Sequence, residues 1–225
     1  MDSFRRAHGK PVMELTGTAL LLLTIQLAVG SGSELAPVAI GIALMTAVYA
    51  GGPISGAHYN PAVSLAVYLR GKMELKEMLM YWAFQIVGGC IGALLAGFIG
   101  GSYAVCAIGN EATFSQAMVA EICFTFFLCF VVLGTATSSA ANGNSYFGAS
   151  IGLTVTAGAF SVGGISGGAF NPAVALGLTF ASNGLSDMSY SSYVALADLI
   201  GGAVAAGLYF LVAPSSEFSD YDSVV

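Results

Sequence analysis

The chain alternates long apolar runs with short polar connections. Six runs, about 12–30, 37–52, 79–100, 115–137, 147–163 and 190–212, approach the roughly 20 apolar residues that a helix needs to cross a bilayer. Each is predicted to be a membrane-spanning helix. Two shorter apolar pieces, about 60–70 and 171–181, follow the glycine-rich ends of the second and fifth runs. At ~1.5 Å per residue each piece covers ~15 Å, half the hydrocarbon core, so neither crosses alone. The expected fold class is an all-α membrane protein with six transmembrane helices and two re-entrant half-helices.

Composition supports a bilayer as the solvent. The 225 residues are 56% hydrophobic and 8% charged, with mean hydropathy +0.83, whereas soluble domains carry about 25% charge. The net charge of −6 and the lack of basic clusters through most of the chain point away from nucleic acid as a partner. The polar, basic first ten residues lead into a full span rather than the short apolar region of a cleavable signal. The basic side chains are Arg5, Arg6, Lys10, Arg70, Lys72 and Lys76. They fall before the first span and before the third, which the positive-inside rule places in the cytoplasm. Six spans return the C-terminus to the same side. Cys90, Cys106, Cys123 and Cys129 have no metal-ligand spacing and read as buried free thiols. No metal or cofactor is expected.

The chain repeats itself. Offset by 111 residues, 41–66 aligns with 152–177 without gaps, with identities at Gly41/Gly152, Gly52/Gly163, Ile54/Ile165, Ser55/Ser166, Gly56/Gly167 and throughout Asn-Pro-Ala-Val. Glu14 echoes Glu121, and Gly88-Gly89 echoes Gly201-Gly202. Each half holds three spans and a half-span. Three is odd, so the second half enters the membrane inverted. The domain reading is an N-terminal cytoplasmic segment at 1–11, a channel domain at 12–213 with halves near 12–108 and 115–213, and an acidic cytoplasmic tail at 214–225.

Asn60-Pro61-Ala62 and Asn171-Pro172-Ala173 are helix starts by residue type: Asn is a favoured N-cap, and Pro suits the first helical position. Gly51-Gly52 and Gly163-Gly164 are expected to let the backbone re-enter. The two half-helices then point their positive ends at each other near the midplane, a barrier to cations. The Asn60 and Asn171 amides offer hydrogen bonds to passing oxygen atoms.

The segments Ile54-Ser55-Gly56-Ala57-His58-Tyr59-Asn60-Pro61-Ala62-Val63 and Gly164-Ile165-Ser166-Gly167-Gly168-Ala169-Phe170-Asn171-Pro172-Ala173 resemble the two signatures of the major intrinsic protein (aquaporin) family. Glu14-Leu15-Thr16-Gly17-Thr18 and Ala120-Glu121-Ile122 resemble its first and fourth helix starts. The resemblance covers about 12–212. It implies a homotetramer embedded in membrane lipid, one pore per subunit, and passage of water and small uncharged solutes. It also implies that Glu14 and Glu121 hold backbone groups of the re-entrant loops. His58 falls where the family has a pore-side histidine, with two readings: lining the pore or bracing the loop.

Water-selective members carry a narrow outer filter of an aromatic residue, usually a histidine, a small residue, and an Arg after the second Asn-Pro-Ala. Counted from the motifs, those positions are Ile40, Ala159, Gly168 and Val174. The expected constriction is wider and more apolar, with glycerol, urea, ammonia and hydrogen peroxide as candidate solutes. Ala175 stands where the family's glycerol channels usually have Asp. Asp198, three residues before Gly201, is unusual inside a span. It is open to a structural hydrogen bond, pairing across subunits, contact with water, or gating. The tail after Ser215 reads as disordered, and Ser223-Val224-Val225 matches a weak PDZ-type ligand.

Three other readings have separate tests. Gly164-Ile165-Ser166-Gly167 matches an intramembrane serine-protease motif, but the only histidines are His8 and His58. The duplicated Ser55 argues against a unique nucleophile, and the expectation is that the chain is not an enzyme. An alternating-access transporter also uses inverted repeats, but no acid or cation pair stands at the broken helices. Ion conduction remains an alternative because the filter Arg is missing.

Overall fold

The computed structural model describes residues 2–218, without the side chains of residues 2–7. Eight α-helices follow in order: α1 (Asp2–Gly30), α2 (Ala36–Ser55), α3 (Pro61–Leu69), α4 (Leu75–Gly100), α5 (Phe114–Val132), α6 (Phe147–Ser166), α7 (Pro172–Asn183) and α8 (Ser189–Val212). A π-helical turn at Leu133–Thr137 prolongs α5. Six of the helices are long and apolar enough to cross a membrane; α3 and α7 are not. The first helix begins well before the expected boundary at residue 12 and runs on through Pro11.

The halves are interlocked. The main pairings are α1 with α4, α5 with α8, and α2 with α6, while α3 packs on α8 and α7 on α4. Each half-helix therefore rests against a long helix of the other half. Glycine makes these approaches possible, as small residues do between membrane helices. A Cβ at Gly88 would run into the Leu15 carbonyl, and one at Gly201 would lie 2.6 Å from that of Ile122. Gly89 and Gly202 face the backbone carbonyls of Ala173 and Ala62, at 2.8 and 2.6 Å from an added Cβ. The echo of the two glycine pairs is thus a repeated contact between backbones.

Three sequence expectations are corrected. Gly51-Gly52 and Gly163-Gly164 do not end their helices; α2 and α6 continue to Ser55 and Ser166. The turns fall at Gly56 and Gly167, with φ of 86° and 93°, where a side chain would be strained. Gly51 instead leaves room for the Tyr59 hydroxyl. Second, Cys123 is exposed on the outer face of the bundle and Cys90 is half-buried; only Cys106 and Cys129 are buried.

Third, the segment after the last helix is not wholly a solvated tail. Ser215–Glu217 forms a 3₁₀ turn, and Glu217 is buried against Arg70 at 2.5 Å. Glu217 also accepts from both hydroxyls of Ser138 and Ser139 at 2.7 Å, and from the Ser139 and Ala140 N–H groups. The Arg70 guanidinium lies over the Tyr209 and Phe218 rings. A C-terminal strap is thereby fastened to the end of α3 and to the connection between α5 and α6. Burial works to raise the Glu217 carboxyl, but its hydrogen bonds outweigh that and hold it down at about 2. Asp220, Asp222 and the Ser223–Val225 ligand motif lie outside the described residues.

Candidate functional site

The two re-entrant loops are built alike from the backbone outward. In the first, Ala57 and Tyr59 take positive φ of 54° and 52°; in the second, Gly168 and Phe170 take 63° and 48°. A left-handed conformation costs a residue with a side chain roughly 1–2 kcal/mol, so something must hold it. A buried carboxylate does so in each half. Glu14 accepts from the His58 and Tyr59 N–H groups at 3.0 and 2.6 Å. Glu121 accepts from those of Ala169 and Phe170 at 3.0 and 2.8 Å.

The left-handed turn aims each carbonyl across the pseudo-twofold axis. The Asn60 amide donates to the Phe170 carbonyl at 2.8 Å, and the Asn171 amide donates to the Tyr59 carbonyl at 2.9 Å. Each Asn also caps its own half-helix: Oδ1 accepts from Ala62 N–H and Ala173 N–H at 2.8 and 2.9 Å. Pro61 and Pro172 open those helices at no cost in hydrogen bonds. An Asn side chain has two N–H donors. With one used between the loops, one remains on each side of the junction. The N-termini of α3 and α7 meet here, and their partial positive charges add.

A continuous cavity of about 1170 Å³ passes this junction. Its wall includes Asn60, Asn171 and His58, and all four filter positions: Ile40 on α2, Ala159 on α6, Gly168 in the second loop and Val174 in the first turn of α7. His58 also braces the loop, with Nδ1 3.0 Å from Ser64 Oγ and its ring edge-on to Tyr81. Glu14, Glu121 and Asp198 are fully buried and stand behind the wall. Asp198 takes a hydrogen bond from Thr125. The cavity also touches Thr137, Ser138 and Ser139, so the strap holds the rim of one mouth.

Some supporting residues were not singled out in the sequence. Gln85 donates to both Glu14 and Ser64, at 2.8 and 3.0 Å. The Tyr81 and Tyr190 hydroxyls donate to the carbonyls of Ser55 and Ser166, which close α2 and α6. Trp82 Nε1 donates to the Pro61 carbonyl at 2.9 Å. Gln85 follows Tyr81 at i+4, which sets both on one face of α4.

A sequence model of the major intrinsic protein family matches residues 12–210. The chain belongs to that family. It is a multi-pass membrane channel for water or small solutes. Mouse aquaporin-5 is 33% identical over 192 residues, covering 83% of this chain and 72% of the relative. Aquaporin TIP1-1 of Arabidopsis thaliana is 37% identical over 151 residues, covering 65% of this chain and 60% of the relative. Among solved structures, the aquaglyceroporin of Plasmodium falciparum superposes with a TM-score of 0.78 at 22% identity. That match covers 92% of this chain and 97% of the other. The major intrinsic protein fold is thus shared well beyond the reach of sequence identity.

Proposed function

We propose that this family member is a passive channel with a wide, apolar filter, conducting water together with small neutral solutes such as glycerol, urea, ammonia or hydrogen peroxide. The observation that carries the reading is Val174 in the first turn of α7. An Arg there would bring a fixed charge and a fork of donors into the bore. Val brings neither, and Ala159 and Gly168 fill little space. The filter loses its discrimination by donors and is left with size.

Cation exclusion is expected to persist. The N-termini of α3 and α7 keep a positive field at the centre, and no acidic side chain among the described residues lines the wall between the two Asn amides. The arrangement in the membrane follows the family pattern: a homotetramer with both termini cytoplasmic and a pore in each subunit.

Stopped-flow light scattering on proteoliposomes tests the filter. Val174→Arg is expected to reduce glycerol or urea permeability more than water permeability. Equal loss for every solute, or no loss at all, removes the filter assignment. Linear flux with a weak temperature dependence is expected of a channel; saturation with a steep dependence identifies an alternating-access carrier instead.

A further inference from the structure

Asp198 lies on α8 with none of its surface exposed, and it does not line the cavity. Its Oδ1 accepts from Thr125 Oγ1 at 2.9 Å. Its Oδ2 receives no well-formed hydrogen bond among the described residues. Beside the side chain are the carboxyl of Glu121 and the Asn171 backbone N–H of the second loop. The other titratable groups around it are Cys129 on α5, Cys106 in the connection before α5, and Tyr190 on α8 itself. None of them is a cation.

Two ionised carboxylates side by side in a medium of low dielectric repel strongly, and such a pair keeps one proton. The donors around each group decide where it resides. Glu121 accepts a backbone N–H on each of its two oxygens, so both are already taken by donors of the loop. Asp198 has the Thr125 hydroxyl on Oδ1 and a second oxygen, Oδ2, without a well-formed hydrogen bond among the described residues.

The other half of the molecule shows what the contact is for. The residue three before Gly88 is Gln85, the repeat counterpart of Asp198. Its Nε2 donates to Glu14 Oε2 at 2.8 Å. An ionised Asp could not do this, because it only accepts; a protonated one has an O–H to give.

We propose that Asp198 is a neutral carboxylic acid whose O–H donates to the Glu121 carboxylate, the second half's counterpart of the Gln85 amide. It is a positioning residue for the loop that carries Gly168 and Asn171. The proposal concerns the loop and not the solute, so it stands or falls separately from the filter reading.

Infrared spectroscopy of the reconstituted full chain at neutral pH tests it. The expected result is a carbonyl band of a protonated carboxylic acid that shifts on carboxyl-¹³C aspartate labelling and is missing in Asp198→Asn. Labelling the wild type decides the matter even if the variant fails to fold. Absence of the band means both groups are ionised and overturns the proposal. A band that follows glutamate labelling places the proton on Glu121 and overturns it too. Flux gives the second readout. Asp198→Ala removes the donor and is expected to lower permeability severalfold, while Asp198→Asn, which still offers an N–H, restores most of it. Equal flux in the two variants refutes the positioning role.

Discussion

Glu14→Gln isolates the carboxylate's hold on the first loop at nearly constant shape. Glu14 collects four donors: Ser55 Oγ at 2.6 Å and His58 N–H at 3.0 Å on Oε1, Tyr59 N–H at 2.6 Å and Gln85 Nε2 at 2.8 Å on Oε2. A glutamine keeps one acceptor oxygen, which suits the Ser55 and His58 pair. Its NH₂ then faces the other two donors. Gln85 can turn its amide over only by giving up its bond to Ser64 and placing its NH₂ where Oε1 has no partner, a cost beyond those that follow. The Tyr59 N–H cannot turn. Leaving it against another donor costs about 1–3 kcal/mol, and the Ser55 and His58 bonds fall from charge-assisted to neutral strength, about 1 kcal/mol each.

The expected loss is about 3–5 kcal/mol, a large share of the roughly 5–15 kcal/mol that stabilises a folded domain. It falls on the loop whose Tyr59 sits at φ 52° and whose carbonyl positions Asn171. Unfolding in detergent by heat or denaturant measures the loss, and water flux in proteoliposomes measures its effect on the bore. Both should fall, with Glu14→Ala worse than Glu14→Gln because all four donors are then orphaned. A Glu14→Gln protein within about 0.5 kcal/mol of wild type, the range of an ordinary surface change, would refute the idea that this carboxylate holds the loop.

The strap provides a pH prediction. The Glu217 carboxyl is held down at about 2 against an ordinary 4.5, so its stabilisation is fully present above 4.5 and is lost as pH falls toward 2. Proteolytic cleavage after α8 should therefore be slow and constant from about pH 8 to about pH 5, and Glu217→Gln should speed it at every pH in that window. Gly88→Ala and Gly201→Ala should each cost about 1–3 kcal/mol in thermal unfolding by overpacking a helix contact. Gly207→Ala, inside α8 where nothing lies within 4 Å of an added Cβ, should not destabilise and should gain up to about 1 kcal/mol. Planar-bilayer recording of the wild type should show no cation current, since the paired half-helix ends remain.

The parts legible in the sequence are those that depend on local chemistry or on the repeat. Run length set the six long helices, and Asn followed by Pro set the starts of α3 and α7 to the residue. The parts that were not legible depend on distant partners. Glu217 looked solvated because its neighbours are polar, while its partner Arg70 lies 147 positions away. Gly51 looked like a hinge, but its reason is the Tyr59 ring folded back against it. The outward face of Cys123 was hard to read from α5, where apolar residues surround the helix and only Glu121 and Thr125 mark the inner face.

The repeat also changes what the filter means. At the same 111-residue offset, Ile40, Ala159, Gly168 and Val174 have the counterparts Ile151, Val48, Ala57 and Val63. All eight line the one cavity. An Arg after the second motif would break that symmetry, placing a charge where the first half has Val63. With Val at both positions, the proposed filter set and its repeat counterpart carry the same residue directly after the Asn-Pro-Ala of each half. The backbone machinery of carboxylate, left-handed residue, carbonyl and opposing Asn can therefore be conserved between the halves without conferring selectivity for water. On the filter proposed above, selectivity of that kind would need the symmetry broken after the second motif, and Val174 leaves it intact.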